Sequence, residues 1–278
     1  MINWEIIREI FIIAIPAVGE MTLYMMIWIL DTMMVGKYGG SLAVSSVGLC
    51  TEVIYSFFNM TIALGVSTAL TSLISRSLGA KDYKKAENMA NGGFKIALIL
   101  AFIFFGILFF LPTEILKLAG ATEKMMPYAR RYAKISAFSF FMLSISSSIN
   151  GVFRGVKDTK TSLYVAAIIN IVNLSFDYLL IFGKFGFPEL GVTGAAIATV
   201  LGNLAGISLQ YSRLKKLPFK IRFSAKFVKK DIWEIIKLAI PSGLQEGNFR
   251  AHLIHRGSPS YLMEEIDVRL AGYEIGWF

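Results

Sequence analysis

Long apolar runs alternate with short polar segments along most of the chain. A helix that crosses a bilayer needs about 20 mostly apolar residues, and six runs reach that length. The pattern predicts an all-α integral membrane protein, because only helices and closed barrels satisfy their backbone groups in lipid. The predicted spans are Ile10–Val35, Ala43–Leu73, Ala90–Leu111, Tyr128–Phe153, Thr161–Phe182 and Val192–Tyr211.

Composition supports the membrane class. Hydrophobic residues make up 55% of the chain and charged residues only 17%, whereas about 25% of a typical soluble domain is charged. The net charge of +9 would suggest nucleic-acid binding in a soluble protein. Here the positive side chains lie mostly between the apolar runs, so membrane topology explains them better and no nucleic-acid partner is expected.

Lysine and arginine side chains around the spans predict the orientation of the chain. Sixteen of them, Arg154 included, fall on the side that holds the N-terminus, and seven fall on the other side. The positive-inside rule therefore predicts a multi-pass protein of the cell membrane with a cytoplasmic N-terminus. The basic stretch from Lys117 to Lys134, which this orientation places outside, fits the rule poorly.

An internal repeat is visible near the two ends of the chain. "WEIIREIFIIAIPAVGE" is echoed by "WEIIKLAIPSGLQE" at residues 233–246, so that Pro16 matches Pro241 and Glu20 matches Gln245. Repeated halves are common in secondary transporters, although two apolar helix starts can also resemble each other by chance. We predict a six-helix lobe at 1–211, a basic cytoplasmic linker at 212–230 and the start of a second repeat, helix seven, at 231–250.

The last segment, 251–278, is too polar and too short to span a bilayer, and it matches no part of the first repeat. We expect that the second lobe is missing and that this tail arises from a frameshift, a fusion or an altered end. The alternative is a genuine cytoplasmic tail.

Polar side chains inside the predicted spans are the candidate functional residues. A charged side chain at mid-bilayer costs about 2.5–3.5 kcal/mol on insertion scales. In "IINIVNLSFDYLLIFG", Asn170, Asn173 and Asp177 recur at i, i+3 and i+7, which places them on one helix face. Two amides and a carboxylate can bind a small hard cation or hold a proton. The alternative is a hydrogen-bonding stripe that only packs helices.

Three further carboxylates lie within the spans. Asp31 follows Pro16 by fifteen residues on the first span, and a proline inside a helix offers a bend. Asp31 is therefore a candidate titratable switch or an interfacial residue. Glu20 and Glu52 either line a pathway or are paired structural groups.

The sequence predicts no enzyme and no organic cofactor. It contains neither a phosphate-binding loop nor a nucleophile elbow, and both of its histidines lie beyond the spans.

Five motifs, taken in order, resemble the multidrug and toxic compound extrusion (MATE) family, and most closely its DinF-like branch. They are "IPAVGEMTLYMMIWILDTMMVGKYGG", "GVSTALTSLISRSLGAKD", "NGVFRGVKDTKTSL", "NIVNLSFDYLLIFG" and "GVTGAAIATVLGN". The resemblance covers about residues 5–249. It implies the N-terminal six-helix lobe of a twelve-helix transporter of the multidrug/oligosaccharidyl-lipid/polysaccharide (MOP) superfamily, with the start of a seventh helix.

The resemblance also implies site residues and an activity. The expected activity is the export of cationic or amphipathic organic compounds in exchange for Na⁺ or H⁺, with a second lobe required. Na⁺, if it is the coupling ion, would bind Asp31, Asn173 and Asp177. The residues carried over from the family's motifs are Asp31, Asn150, Asn173, Asp177 and Thr199 for cation or proton coupling and Pro16 as the hinge of the first helix.

Two alternatives remain open at this stage. A lipid-linked oligosaccharide flippase of the same superfamily is one, although such a cavity would be expected to carry several fixed cations. An inactive membrane fragment of a disrupted transporter gene is the other.

Overall fold

The computed structural model describes residues 4–54, 65–221 and 229–242. Regular structure in these ranges is helical, and two short 3-10 turns, Lys184–Gly186 and Leu214–Lys216, flank α7. The helices are α1 Trp4–Val53, α2 Gly65–Gly79, α3 Tyr83–Phe110, α4 Pro112–Leu118, α5 Met126–Gly155, α6 Thr159–Phe182, α7 Val192–Arg213 and α8 at 229–242.

Within the described ranges, five helices are long and apolar enough to cross a membrane, namely α1, α3, α5, α6 and α7. Large apolar side chains such as Phe102 and Phe110 of α3 are more than half exposed on the outside of the bundle, as expected for lipid-facing positions. The predicted all-α membrane fold is confirmed.

The first two predicted spans are not separated by a loop. Helical structure runs without a gap from Trp4 to Val53, and only Gly40 leaves helical geometry, with φ 64° and ψ −157°. The chain bends there because glycine alone adopts this backbone conformation readily. The stretch "VGKYGG" is therefore a bend within α1, and the predicted span Ala43–Leu73 continues into residues 55–64, outside the described ranges.

Two polar helix ends extend beyond the predicted spans. Tyr83 begins α3, because the Asp82 side chain caps it by accepting a hydrogen bond from the Lys85 backbone N–H at 2.9 Å. The second case is α5, which starts at Met126, two residues before the predicted span. Arg130, Arg131 and Lys134 lie within both the predicted span and α5, so part of the basic stretch that fitted the charge rule poorly belongs to a helix and not to a loop.

The helices form one bundle in which α5 and α6 are central. One of them, α6, packs against α1 and α7, and the other, α5, packs against α2, α3 and α7. Close approach of α2 and α5 depends on Gly151, since a Cβ there would lie 2.6 Å from the backbone oxygen of Ser67. This tight seam fixes how α5 presents its polar side chains to α1 and α7.

α8 packs on the outer side of α2 and α3. Ile235 is fully buried in the cluster that contains Leu70 and Met89, and Glu234 pairs with Lys85 at 3.0 Å. The division of the chain into lobe, linker and second repeat stays a prediction. Gln245 and the tail 251–278 lie outside the described residues.

Candidate functional site

The polar stripe of α6 is buried within the bundle. Asn170, Asn173 and Asp177 are 5%, 1% and 0% exposed. Their spacing puts them on one face, and α1 and α7 pack against the same helix. The stripe therefore faces protein and not lipid, which is the usual environment of ionisable residues in membrane helices.

Two carboxyl groups meet at one end of this stripe. The side chains of Asp31 on α1 and Asp177 on α6 lie within hydrogen-bond range of each other. An ionised carboxylate only accepts hydrogen bonds, so the contact requires a proton on one member of the pair. Two negative charges at such close range repel strongly. The pair is thus suited to hold one proton, or one cation in its place.

An amide and a hydroxyl complete this end of the stripe. In one amide orientation, Asn173 Nδ2 donates to Thr199 Oγ1 at 3.4 Å. In the reversed orientation, Nδ2 donates to Asp177 Oδ2 at 3.1 Å and Oδ1 accepts from the backbone N–H of Thr199 at 3.3 Å. The reversed orientation satisfies both ends of the amide. The Thr199 hydroxyl donates to the carbonyl of Ala195 at 2.9 Å, which leaves its lone pairs free to accept.

The carboxyl pair retains unused ligand atoms. Asp31 Oδ1 and Asp177 Oδ1 are buried and accept no hydrogen bond from any group outside the pair among the described residues, and such burial is costly. Carboxylate, amide and hydroxyl oxygens are the ligands that small hard cations prefer. Within the described residues, no three or more His, Cys, Asp or Glu side chains are grouped so that they could hold a metal ion. The donor set at this end of the stripe is therefore two carboxyl groups, one amide and one hydroxyl.

An aromatic hydroxyl borders the pair. Tyr132 of α5 is 6% exposed, its hydroxyl hydrogen-bonds with Thr51 and Ser136, and it lies within electrostatic range of Asp31. The electrostatic proximity of Tyr132 to Asp31 places α5 beside the carboxyl pair.

A second buried polar cluster joins α1 to α5. Glu20 is 4% exposed, and both of its oxygens accept from Arg154 Nη1, at 3.2 and 3.3 Å. Asn150, one turn before Arg154, donates to Glu20 Oε1 at 3.3 Å. A carboxylate in this position is stabilised by a charge-assisted pair and an amide together.

Side chains of α2 and α7 extend the second cluster. Arg154 Nη2 donates to Ser67 Oγ at 2.8 Å, and that hydroxyl donates to the carbonyl of Ser147 at 2.7 Å. From α7, Gln210 Nε2 donates to Asn150 Oδ1 at 2.8 Å. The cluster thus links four helices through buried hydrogen bonds.

The structure brings together some of the predicted site residues and separates others. Asp31, Asn173, Asp177 and Thr199 lie in one group. Asn150 does not join them, because its hydrogen bonds run to Glu20 and Gln210.

The remaining candidates lie apart from the carboxyl pair. Asn170 donates to the carbonyl of Ala166 on its own helix at 2.9 Å. Pro16 is buried within α1, and Glu52 is exposed near the end of that helix.

Sequence reasoning missed four participants: Arg154, Ser67, Gln210 and Tyr132. Arg154 was counted as a loop cation that reports orientation, but it lies inside α5 and pairs with Glu20. A signal for it exists, because Arg154 follows Asn150 by one helical turn and so shares its face. Gln210 carries a similar signal, since it follows Thr199 by three helical turns on α7.

The comparisons with known proteins agree on the family. The MatE family model matches residues 16–179. Among curated proteins, a probable multidrug resistance protein NorM of Thermotoga maritima is 31% identical over 254 residues, which is 87% of this chain and 52% of that protein. The uncharacterized transporter YisQ of Bacillus subtilis is 26% identical over 240 residues, 84% of this chain and 51% of that protein. The chain spans about half the length of these relatives.

Solved structures show the same fold. A crystal structure of MATE in complex with MaD3S superposes with a TM-score of 0.78 at 22% identity, covering 86% of this chain and 53% of that one. An outward-facing multidrug resistance MATE family transporter of the MOP superfamily gives a TM-score of 0.74 at 24% identity, over 86% and 52% of the two chains. The matched family is one of transporters and not of enzymes. The chain therefore belongs to the MatE family and corresponds to its N-terminal lobe.

Proposed function

We propose that this lobe is the ion-coupling half of a multidrug antiporter, which exports cationic or amphipathic organic compounds in exchange for Na⁺ or H⁺. Curated relatives are named multidrug resistance proteins, which supports the export of drug-like compounds. The chain spans about half of their length, so export by a whole protein, with a second lobe, is part of the proposal. The cell membrane and a cytoplasmic N-terminus belong to it as well.

One observation carries the coupling role. The carboxyl groups of Asp31 and Asp177 meet within hydrogen-bond range, and one buried oxygen of each accepts no hydrogen bond from any other group in the described part of the chain. If this pair only packed helices together, its oxygens would be expected to accept hydrogen bonds from neighbouring protein groups, since buried polar groups are generally hydrogen-bonded. A proton or Na⁺ bound between the two groups would satisfy them and neutralise the charge.

The two carboxyl groups come from different helices, which suggests how binding is linked to movement. Asp31 lies on α1, where Pro16 removes a backbone donor and Gly40 breaks the helix. Asp177 lies on α6, which contains neither a proline nor a break. Ion binding holds α1 against α6, and ion release frees α1 to move about its weak points.

The Asp177→Asn variant tests the proposal. The amide keeps the shape and can hydrogen-bond, but it carries no titratable charge. We expect the purified chain in lipid nanodiscs to lose ²²Na⁺ binding, or proton release to a pH indicator, by about tenfold or more, as for the loss of a charge-assisted contact. The lobe joined to a second lobe should lose drug efflux driven by an imposed Na⁺ or H⁺ gradient.

Glu189→Gln is the matched control, because it removes an exposed carboxylate from the loop before α7. It should bind and release ions as the unmodified chain does. Full gradient-driven efflux by a well-expressed Asp177→Asn protein would show that Asp177 only packs helices.

A further inference from the structure

Buried polar side chains continue along α7 beyond the carboxyl pair. Thr199, Asn203 and Gln210 recur at i, i+4 and i+11, so they share a face, and Asn203 and Gln210 are 4% and 0% exposed. Thr199, at the start of the stripe, contacts Asn173 of α6. Gln210, at its end, contacts Asn150 of α5. The α7 stripe therefore runs from the carboxyl pair to the Glu20 cluster.

The α6 stripe lies directly beside it. A Cβ on Gly202 of α7 would lie 3.0 Å from the carbonyl oxygen of Ile169 and 3.2 Å from Cβ of Asn173. The two helices thus touch between the two polar clusters, with Asn170 next to the contact. Buried amides from both helices line the same seam.

Two oxygens along this seam, and one on α5 beside it, have no hydrogen-bond partner among the described residues. They are Asn170 Oδ1 of α6, Gln210 Oε1 of α7 and Ser146 Oγ of α5. The backbone carbonyl of Ser146 accepts from Gln210 Nε2 at 2.9 Å. Unpaired buried oxygens are expensive, and bound water or a passing cation satisfies them. A seam that served packing alone would be expected to pair these atoms.

The distance along the helix axis between the carboxyl pair and the Glu20 cluster is similar on α1 and on α7. Glu20 precedes Asp31 by eleven residues on α1, and Thr199 precedes Gln210 by eleven on α7, which is about 16 Å at 1.5 Å per residue. At the Glu20 end, the Arg154 side chain is 24% exposed. The seam therefore leads from a fully buried carboxylate to an ion pair whose arginine is partly exposed at the surface of the lobe.

We propose that Glu20 is a second, transient site for the coupling cation on its way out, and that Arg154 is the resident positive charge that displaces the cation from it. This inference rests on the proposed function, because it names the release route of the same ion. The proposal assigns Glu20 the role of a release site and Arg154 that of a positioning residue.

The geometry of the Glu20–Arg154 pair explains why a cation would leave this site quickly and not remain bound there. Arg154 Nη1 contacts both Glu20 oxygens, and Nη2 is held by Ser67 Oγ at 2.8 Å. A cation that arrives at Glu20 must compete with a guanidinium already held in place. Two positive groups on one carboxylate repel each other, so the mobile ion leaves towards the exposed side of Arg154.

Release kinetics of the purified 278-residue chain in lipid nanodiscs test the proposal. The chain is loaded with ²²Na⁺ or with protons, and the amount bound and the rate of release are measured. A single substitution would leave a buried charge unpaired, so the double variant Glu20→Gln/Arg154→Gln, which leaves two neutral amides, is the main comparison. We expect it to bind as much ion as the unmodified chain and to release it about tenfold more slowly, because the ion loses its intermediate carboxylate on the way out and the barrier to release rises.

The single variant Arg154→Gln gives an independent readout. It frees Glu20 from its resident counter-ion, so we expect more cation to be bound at equilibrium, with the site on Glu20 filled in addition to the carboxyl pair. A purely structural ion pair would produce no additional bound ion. If Arg154→Gln does not fold, the double variant decides the question alone.

The outcomes separate the two proposals. A folded double variant that releases ions at the unmodified rate, while Asp177→Asn loses binding, overturns the Glu20 site and leaves the coupling site intact. Unchanged ion binding by Asp177→Asn overturns the proposed function and this inference with it. Glu123→Gln, an exposed carboxylate before α5, controls for the loss of charge and should match the unmodified chain.

Discussion

Asp177 has no exposed surface. No residue near it in the sequence of α6 can neutralise its negative charge. Periodicity alone placed it with Asn170 and Asn173 on one face, because a 3.6-residue repeat is local geometry. The same reasoning did not find Arg154, because it lies one residue beyond the predicted end of the span at Phe153, although it shares a helix face with Asn150. Residue identity predicts which groups need a partner, and packing supplies the partner.

Gly151 has no side chain, and this allows α2 and α5 to pack closely together. A Cβ at this position would lie 2.6 Å from the Ser67 backbone oxygen and 2.7 Å from Ser67 Oγ. We expect Gly151→Ala to push α2 away from α5 and to cost about 1–3 kcal/mol of unfolding free energy, as overpacking does. Detergent-induced unfolding followed by circular dichroism measures this loss.

The matched control is Gly106→Ala on α3, where an added Cβ meets nothing within 4 Å. It should leave stability unchanged or raise it slightly, because alanine favours the helix. Equal stability of the two variants would contradict the close approach of α2 and α5.

At the scale of elements, α1 contains two residues that interrupt regular helical structure. Pro16 and the Gly40 bend lie on the helix that bears both Glu20 and Asp31. The apolar pattern predicted two spans here, because the polar and glycine-rich stretch between them is typical of a loop. The helix instead bends at a single residue, since one glycine in a left-handed conformation suffices to redirect it.

Gly40→Ala tests the bend. The backbone conformation at φ 64° and ψ −157° strains any residue with a Cβ by about 1–3 kcal/mol. We expect lower resistance to detergent-induced unfolding than in the unmodified chain. Gly48→Ala, on the same helix with open space around its Cβ position, should not destabilise and is the control. A Gly40→Ala protein as stable as Gly48→Ala would contradict the bend.

At the scale of the whole molecule, the two polar clusters lie at different depths along one bundle. The loop that carries Glu189 precedes α7, and Lys220 follows it, so these exposed residues lie at opposite ends of a helix of 22 residues. The charge rule predicts that the Lys220 end is cytoplasmic. This orientation would put the Glu20 release site on the inner side.

Cysteine labelling tests the orientation. In a Cys50→Ala background, which removes the buried free thiol, Glu189→Cys should react from outside intact cells with an impermeant reagent. Lys220→Cys should react only after the membrane is opened. Labelling of Lys220→Cys and not Glu189→Cys from outside would reverse the orientation and the direction of release with it.

The membrane class, the approximate positions of most spans and the polar stripe of α6 could all be predicted from the amino-acid pattern. These follow from hydrophobic length and helical period, which act over a few residues to a few tens of residues. The family resemblance had also grouped Asp31 with Asp177. No sequence pattern indicated that Glu20 meets Arg154, which are 134 residues apart in sequence and are brought together by the packing of α1 against α5. The rotation of each helix, and so the partner each buried charge finds, is set by close packing at seams such as α2–α5, between segments far apart in the chain.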